Sequence, residues 1–106
     1  MKIAQYFMGE EIRLGIIEND KLMPIRFDGD MVDFMKAGKP AETAGDPLPL
    51  DEVKLAAPVT RPSKIIAIGL NYRDHAEENK MEIPENPIVF AKFPSSLLEP
   101  NGLITW

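Results

Sequence analysis

Residues 11–25 read EIRLGIIENDKLMPI. Ile12, Leu14 and Ile16 alternate with Arg13 and Gly15, the period of two that gives a β-strand one apolar face. Glu18, Asn19, Asp20 and Lys21 carry turn chemistry, because Asn and Asp tolerate left-handed backbone angles. Leu22, Met23 and Ile25 then resume the apolar pattern, so the stretch predicts a hairpin of half-buried strands.

Outward from this hairpin, residues 2–7 predict a further strand. Downstream, Asp30 is placed to cap a short helix in which Met31, Phe34 and Met35 share one face. Gly38 suits the end of that helix, and Pro40 prevents its continuation. Residues 1–50 therefore read as a small hairpin-plus-helix domain. The segment KPAETAGDPLPLD at 39–51 reads as a linker or extended loop. Nine of the ten prolines lie from Pro40 onward, which predicts short strands and many loops in the second half. Val53 and Leu55 alternate before Pro58. Residues 64–68 give the clearest candidate for a buried strand, residues 75–80 a short helix capped by Asn71 or Asp74, and residues 88–92 another strand. The fold class expected is α+β and mainly β, with residues 51–106 forming a second, incomplete domain. The apolar stretch 103–106, ending at Trp106, resembles the start of a strand rather than a polar boundary, as expected of an N-terminal piece of a longer protein.

Composition narrows the function classes. The formal net charge is −5 and the isoelectric point is near 4.8. Lys and Arg are scattered, which argues against nucleic acid and against an anionic membrane as partners. No apolar run is long enough to span a bilayer, and the N-terminus lacks the apolar core of a signal peptide. With no cysteine there is no disulfide framework, thiolate nucleophile or thiolate metal site. A cytoplasmic location is the expectation.

His75 is the only histidine, and it stands in DHAEE, three residues before Glu78. On a helix the two side chains share a face. A carboxylate holding one imidazole nitrogen makes the other a better base. An exposed first turn rich in acids, favoured by the helix dipole, accounts for the same letters. His75 with Glu77, Glu78 and Glu82 falls short of a zinc set, and no grouped carboxylates announce a hard cation. Lys92 reads either as a cation facing a site or as an edge-strand lysine that discourages aggregation. Ser95 and Ser96 read as a loop or cap after Pro94, Gly69 as a tight turn, and the six methionines as core filling. No glycine-rich phosphate cradle is present.

Three segments together resemble the fumarylacetoacetate hydrolase family in its shorter branch: PSKIIAIGLNYRDHAEE, NPIVFAKFPSSL and EPNGLITW. The second matches the family pattern P-x-x-F-x-K-x-x-S-[SA]. The third is similar to its G-P-x-x-x-I-x-x-P approach to the metal site, with Glu99-Pro100 in place of Gly-Pro. The resemblance covers residues 53–106 well, and 1–50 more weakly, as a small domain preceding the catalytic fold. It implies the opening strands of a mixed β-roll and a hydrolase, isomerase or decarboxylase acting on 2-oxo acid or 1,3-dicarbonyl compounds, as in aromatic compound catabolism. It further implies His75 and Glu78 as a general-base dyad, Lys92 and Ser95 in the substrate pocket, and a dyad segment that orders as a lid. Mg²⁺ or Mn²⁺, with Ca²⁺ also suited, would stabilise an enolate through ligands beyond Trp106, and a homodimer is implied. The other reading is a non-catalytic assembly module that docks through residues 1–50 and the apolar tail. Residues 1–106 alone are expected to show no hydrolase activity and no tight catalytic metal binding. Calorimetric titration with Mg²⁺ or Mn²⁺ checks the latter, and micromolar binding would refute it.

Overall fold

The computed structural model describes residues 1–105. The chain is α+β and mostly β, and it divides into two compact units, Met1–Thr60 with Leu97–Trp106, and Arg61–Ser96.

The first unit is built on a four-stranded antiparallel sheet in sequential order, β1 (Lys2–Met8), β2 (Glu11–Glu18), β3 (Lys21–Pro24) and β4 (Leu48–Pro49). The β2–β3 connection falls within the expected turn and is two residues long, Glu18 and Lys21 belonging to the strands. Asn19 and Asp20 both have positive φ, 48° and 59°, the backbone that matches the twist of a tight hairpin. Helix α1 (Met31–Ala37) starts at Asp30, whose carboxylate accepts from the Val32 and Asp33 N–H groups while Asp33 reaches back to the Asp30 N–H. It ends at Gly38, in the left-handed region.

One face of the sheet packs Leu14 and Ile25 against Phe34 of α1, with Ile3, Ile16, Phe27, Met31 and Ala41 around them. The Phe27 and Phe34 rings meet edge-on with centroids 5.1 Å apart. Strand burial is not the simple one-sided alternation expected. Adjacent residues Leu14 and Gly15 are both buried, as are Gln5 and Tyr6, so the centre of the sheet is covered on both faces. Gly15 is obligatory here, because a Cβ at this position would lie 2.4 Å from Leu22 Cδ2. Met35 does not join the core and is 61% exposed, since the seven-residue helix buries only the narrow stripe through Phe34. Of the methionines expected to fill the core only Met31 packs against it and Met23 is half-buried, while Met1, Met8, Met35 and Met81 are exposed.

Of residues 39–51, read as a linker or extended loop, 39–49 run as an extended loop bonded to the sheet rather than as a free linker, and 50–51 enter a 3-10 turn. Arg26 donates to the Glu42 carbonyl and Ala44 to that of Pro24, both at 2.8 Å, and Leu48 and Pro49 pair with Leu22 and Lys21. Pro49 fits because an edge strand needs no N–H on its outer side. Residues 54–56 line the opposite edge: Phe7 donates to the Lys54 carbonyl, and Ala56 to that of Gln5, both at 2.9 Å. Lys54 places its ammonium 4.9 Å from the Phe7 ring centroid and 2.8 Å from Glu99.

Gln5, 1% exposed, joins these parts. Its Nε2 donates to the Ala57 carbonyl at 2.7 Å, and its Oε1 accepts from the Met31 N–H at 2.8 Å. That N–H belongs to the first helical residue, where no intrahelical partner exists. One amide therefore satisfies a helix end and a strand segment from the middle of the sheet.

The second unit holds an antiparallel pair, β5 (Ile65–Gly69) and β6 (Ile88–Lys92), with α2 (Arg73–Glu78) between them. The expected buried strand at 64–68 is not buried, as Ile66 and Ile68 are 66% and 55% exposed. A two-stranded ribbon has too little apolar cover to enclose such residues by itself. Residues 103–105 form no strand, and the expectation for Trp106 lies outside the described residues.

Two outcomes follow. Gln5→Ala leaves the Met31 N–H and the Ala57 carbonyl without partners, and is expected to cost about 2–4 kcal/mol in urea unfolding. Burial pushes the Tyr6 phenol above its ordinary value of 10.0, with Arg13 opposing. A raised folded-state pKa means stability is full below pH ~10 and is lost as pH rises through the folded value. Thermal melts should fall on that alkaline limb, and Tyr6→Phe should flatten it.

Candidate active site

All four residues singled out by sequence, His75, Glu78, Lys92 and Ser95, fall in the unit Arg61–Ser96. The chain leaves β5 through Gly69 and turns at Leu70. The positive φ lies on Leu70, at 49°, and Gly69 is not the left-handed residue. What Gly69 supplies is room, since a Cβ there would stand 3.3 Å from the Phe90 ring. A left-handed leucine costs roughly 1–2 kcal/mol, a local strain placed directly before Asn71 and Tyr72.

Helix α2 begins at Tyr72 without a side-chain cap, so neither Asn71 nor Asp74 caps it. The Asp74 carboxylate instead accepts from the His75 N–H at 2.9 Å. The helix is closed from its C-terminal side. Asn79 Nδ2 donates to the His75 carbonyl at 2.8 Å, Lys80 N–H to Glu77 at 3.0 Å, and Met81 N–H to Ala76 at 2.9 Å. With Lys80 at φ 51°, these bonds form a Schellman motif whose left-handed position carries lysine rather than glycine. The only buried residue of α2 is Ala76.

His75 and Glu78 stand three residues apart on this one helix, both exposed, and no hydrogen bond or ion pair joins their side chains. The helix brings them to one side without locking them together. Lys92 pairs with Ile65 at the start of β5, whereas α2 departs from the Gly69 end. Four residues of ladder separate those ends by about 14 Å. Lys92 is exposed, on the strand face that period two shares with Phe90 and Ile88. Ser95 lies in the 3-10 turn Pro94–Ser96, and it is Ser96 whose hydroxyl donates to the Phe93 carbonyl, at 2.8 Å.

A cleft of about 280 Å³ opens at the Gly69 end of the ladder, lined by residues 68–71 and 84–87. None of the four candidates lines it. Among the described residues, no three His, Asp or Glu side chains converge as a metal site, and no helix is long and apolar enough to cross a membrane. Sequence reasoning missed Asn79 and Lys80 as the elements that end α2. The signal was available, because Asn beyond a short helical pattern is a C-terminal stop.

Lys80→Gly should relieve the left-handed lysine and raise the stability of α2 by about 1 kcal/mol. Slower amide exchange at Ala76 and Met81, read by NMR, is the expected result.

Comparison with known proteins adds four findings. A family model described as Rv2993c-like, N-terminal, matches residues 1–58. Over 78 residues the chain is 44% identical to a mitochondrial oxaloacetate tautomerase, Fahd2a, of Rattus norvegicus, covering 66% of this chain and 25% of that protein. Over 57 residues it is 51% identical to a fumarylacetoacetate hydrolase domain-containing protein 2 homolog of Dictyostelium discoideum, covering 54% of this chain and 18% of that one. A crystal structure assigned as an HpcE protein, from Mycobacterium smegmatis, is similar at a TM-score of 0.63 and 25% identity, over 90% of this chain and 37% of that one. The chain thus spans about a quarter or less of the length of these curated relatives.

Proposed function

Since the chain belongs to the Rv2993c-like N-terminal family and is similar to fumarylacetoacetate hydrolase-domain proteins, we propose that it supplies the proton-transfer segment of a longer enzyme acting on 2-oxo acids. The observation that carries this reading is the placement of His75 and Glu78 on one exposed helical turn directly after β5. In the proposed reaction the imidazole takes a proton from the carbon next to the substrate carbonyl, leaving an enolate, and returns it at carbon or oxygen. For hydrolysis the same base would act on water. Glu78 would hold the second ring nitrogen and stabilise the imidazolium that forms. Enol–keto tautomerisation of an oxaloacetate-like substrate needs only this step, and it is the chemistry named for the rat relative.

Lys92 and Ser95 enter the proposal as carboxylate-binding groups of a pocket, Lys92 through its charge and Ser95 through its hydroxyl. Their position across the ladder from the α2 end requires α2 to swing over a bound substrate. The left-handed residues at 70 and 80 support such a lid, because strained termini are natural hinges. The mixed β-roll, the homodimer and a cytoplasmic site of action belong to the same reading.

The residues described here do not fit a divalent cation, since no carboxylate cluster converges. Mg²⁺ or Mn²⁺ stays in the proposal only as a group held by residues outside this chain, supplying Lewis-acid stabilisation of the enolate. A second reading, a non-catalytic docking module, is favoured by Leu103 and Ile104, which are 81% and 71% exposed.

In a complete enzyme carrying this segment, His75→Ala and Glu78→Ala should each lower kcat for oxaloacetate turnover by about 10²–10⁴-fold with metal affinity retained. Unchanged rates for both would remove the dyad and leave the docking module as the better reading.

A further inference from the structure

The chemistry proposed above needs His75 and Glu78 one helical turn apart, yet α2 has only six residues. Helices of that length do not hold themselves together in water, because nucleation costs more than a few bonds return. Its N-terminal end is held locally: Tyr72 offers no side-chain cap, and the Ala76 N–H reaches the Tyr72 carbonyl at 3.3 Å. The exposed Asp74 carboxylate bonds only the N–H of its own neighbour, His75, at 2.9 Å, which ties no two turns together. The order of the turn therefore comes from the other end. There the His75 carbonyl receives two donors from one residue, the Asn79 N–H at 3.3 Å and the Asn79 side-chain Nδ2 at 2.8 Å. Apart from Asp74, which bonds the neighbouring N–H in the first turn, Asn79 supplies the side-chain hydrogen bond to the backbone of this helix.

We infer that Asn79 is a positioning residue for His75, acting through the His75 carbonyl to hold the turn on which the His75–Glu78 spacing depends. The inference rests on the dyad reading for its catalytic meaning, but its structural content is separable. Asparagine suits the role because its amide donates a hydrogen bond, whereas an aspartate at 79 would present only acceptors to a carbonyl. The bond is also solvent-exposed, so its strength is modest and the turn stays able to open.

The 106-residue chain has one imidazole, so NMR reads His75 without ambiguity. Asn79→Ala and Asn79→Asp should each lower amide protection at Ala76, Asn79 and Met81 about five-fold, with the protected amides of β5 and β6 unchanged. Ser96→Ala, which removes a bond elsewhere in the same unit, should leave α2 protection at its wild-type value. The ring supplies a readout that general loosening would not move. The imidazole ¹⁵N shifts that report tautomer should respond to Glu78→Gln in the wild-type background and respond at least two-fold less in Asn79→Ala. Unchanged α2 protection in both Asn79 variants would overturn the inference, as would an undiminished ring response in Asn79→Ala. A wild-type ring indifferent to Glu78→Gln would sink the dyad reading instead, while the protection data still decide whether Asn79 holds the turn.

Discussion

The first unit depends on one buried side-chain amide. Gln5 sits in the middle of β1, where neighbouring side chains pack, and its two polar atoms must find partners or cost the fold their desolvation. Both are satisfied, by the first N–H of α1 and by the Ala57 carbonyl. This fixes where the helix starts relative to the sheet and where the returning strand segment lies. An apolar residue at position 5 could pack, but it would leave a helix terminus and a carbonyl unpaired. The helix so placed carries Phe34, whose ring meets Phe27 edge-on over the sheet.

The second unit follows different physics. Its ribbon exposes Ile66, Ile68 and Val89, its helix is one and a half turns long, and two non-glycine residues flank that helix in left-handed backbone. Local stability of this kind is drawn from the low end of a protein's range, where lids and binding segments are found. The closely packed first unit and the lightly held second unit, which carries the candidate residues, divide the chain between scaffold and site. The family relationship gives that division a context, since the family model covers residues 1–58 and the candidate residues His75 and Glu78 lie outside them.

Much of the fold was legible in the sequence where local chemistry decides it. Alternation at 12–16, the Asn19-Asp20 turn and the Asp30 and Gly38 caps all name their structures directly. Burial was less legible, because it depends on what lies across the sheet. Ile65–Gly69 has the letters of a buried strand and stands in a two-stranded ribbon, while residues 39–51 have the letters of a linker or extended loop, and residues 42–44 and 48–49 within them bond to the sheet edge. Gln5 gave no signal at all, as a polar residue in a strand reads as the solvent side until its partners 26 and 52 residues away are known. At the candidate site the His75–Glu78 spacing was readable, but the absence of a bond between the two side chains and the role of Asn79 were not. Those depend on where a six-residue helix stops.

Residue-resolved hydrogen exchange on the native chain tests this contrast between the units most directly. The Met31 amide, held by Gln5, should exchange only through global opening, together with Ala56, and at least a hundred-fold more slowly than the α2 amides Ala76 and Met81. Exchange of Met31 at the rate of those α2 amides would contradict the anchoring role of Gln5 and the division of the chain into a firm scaffold and a lightly held site.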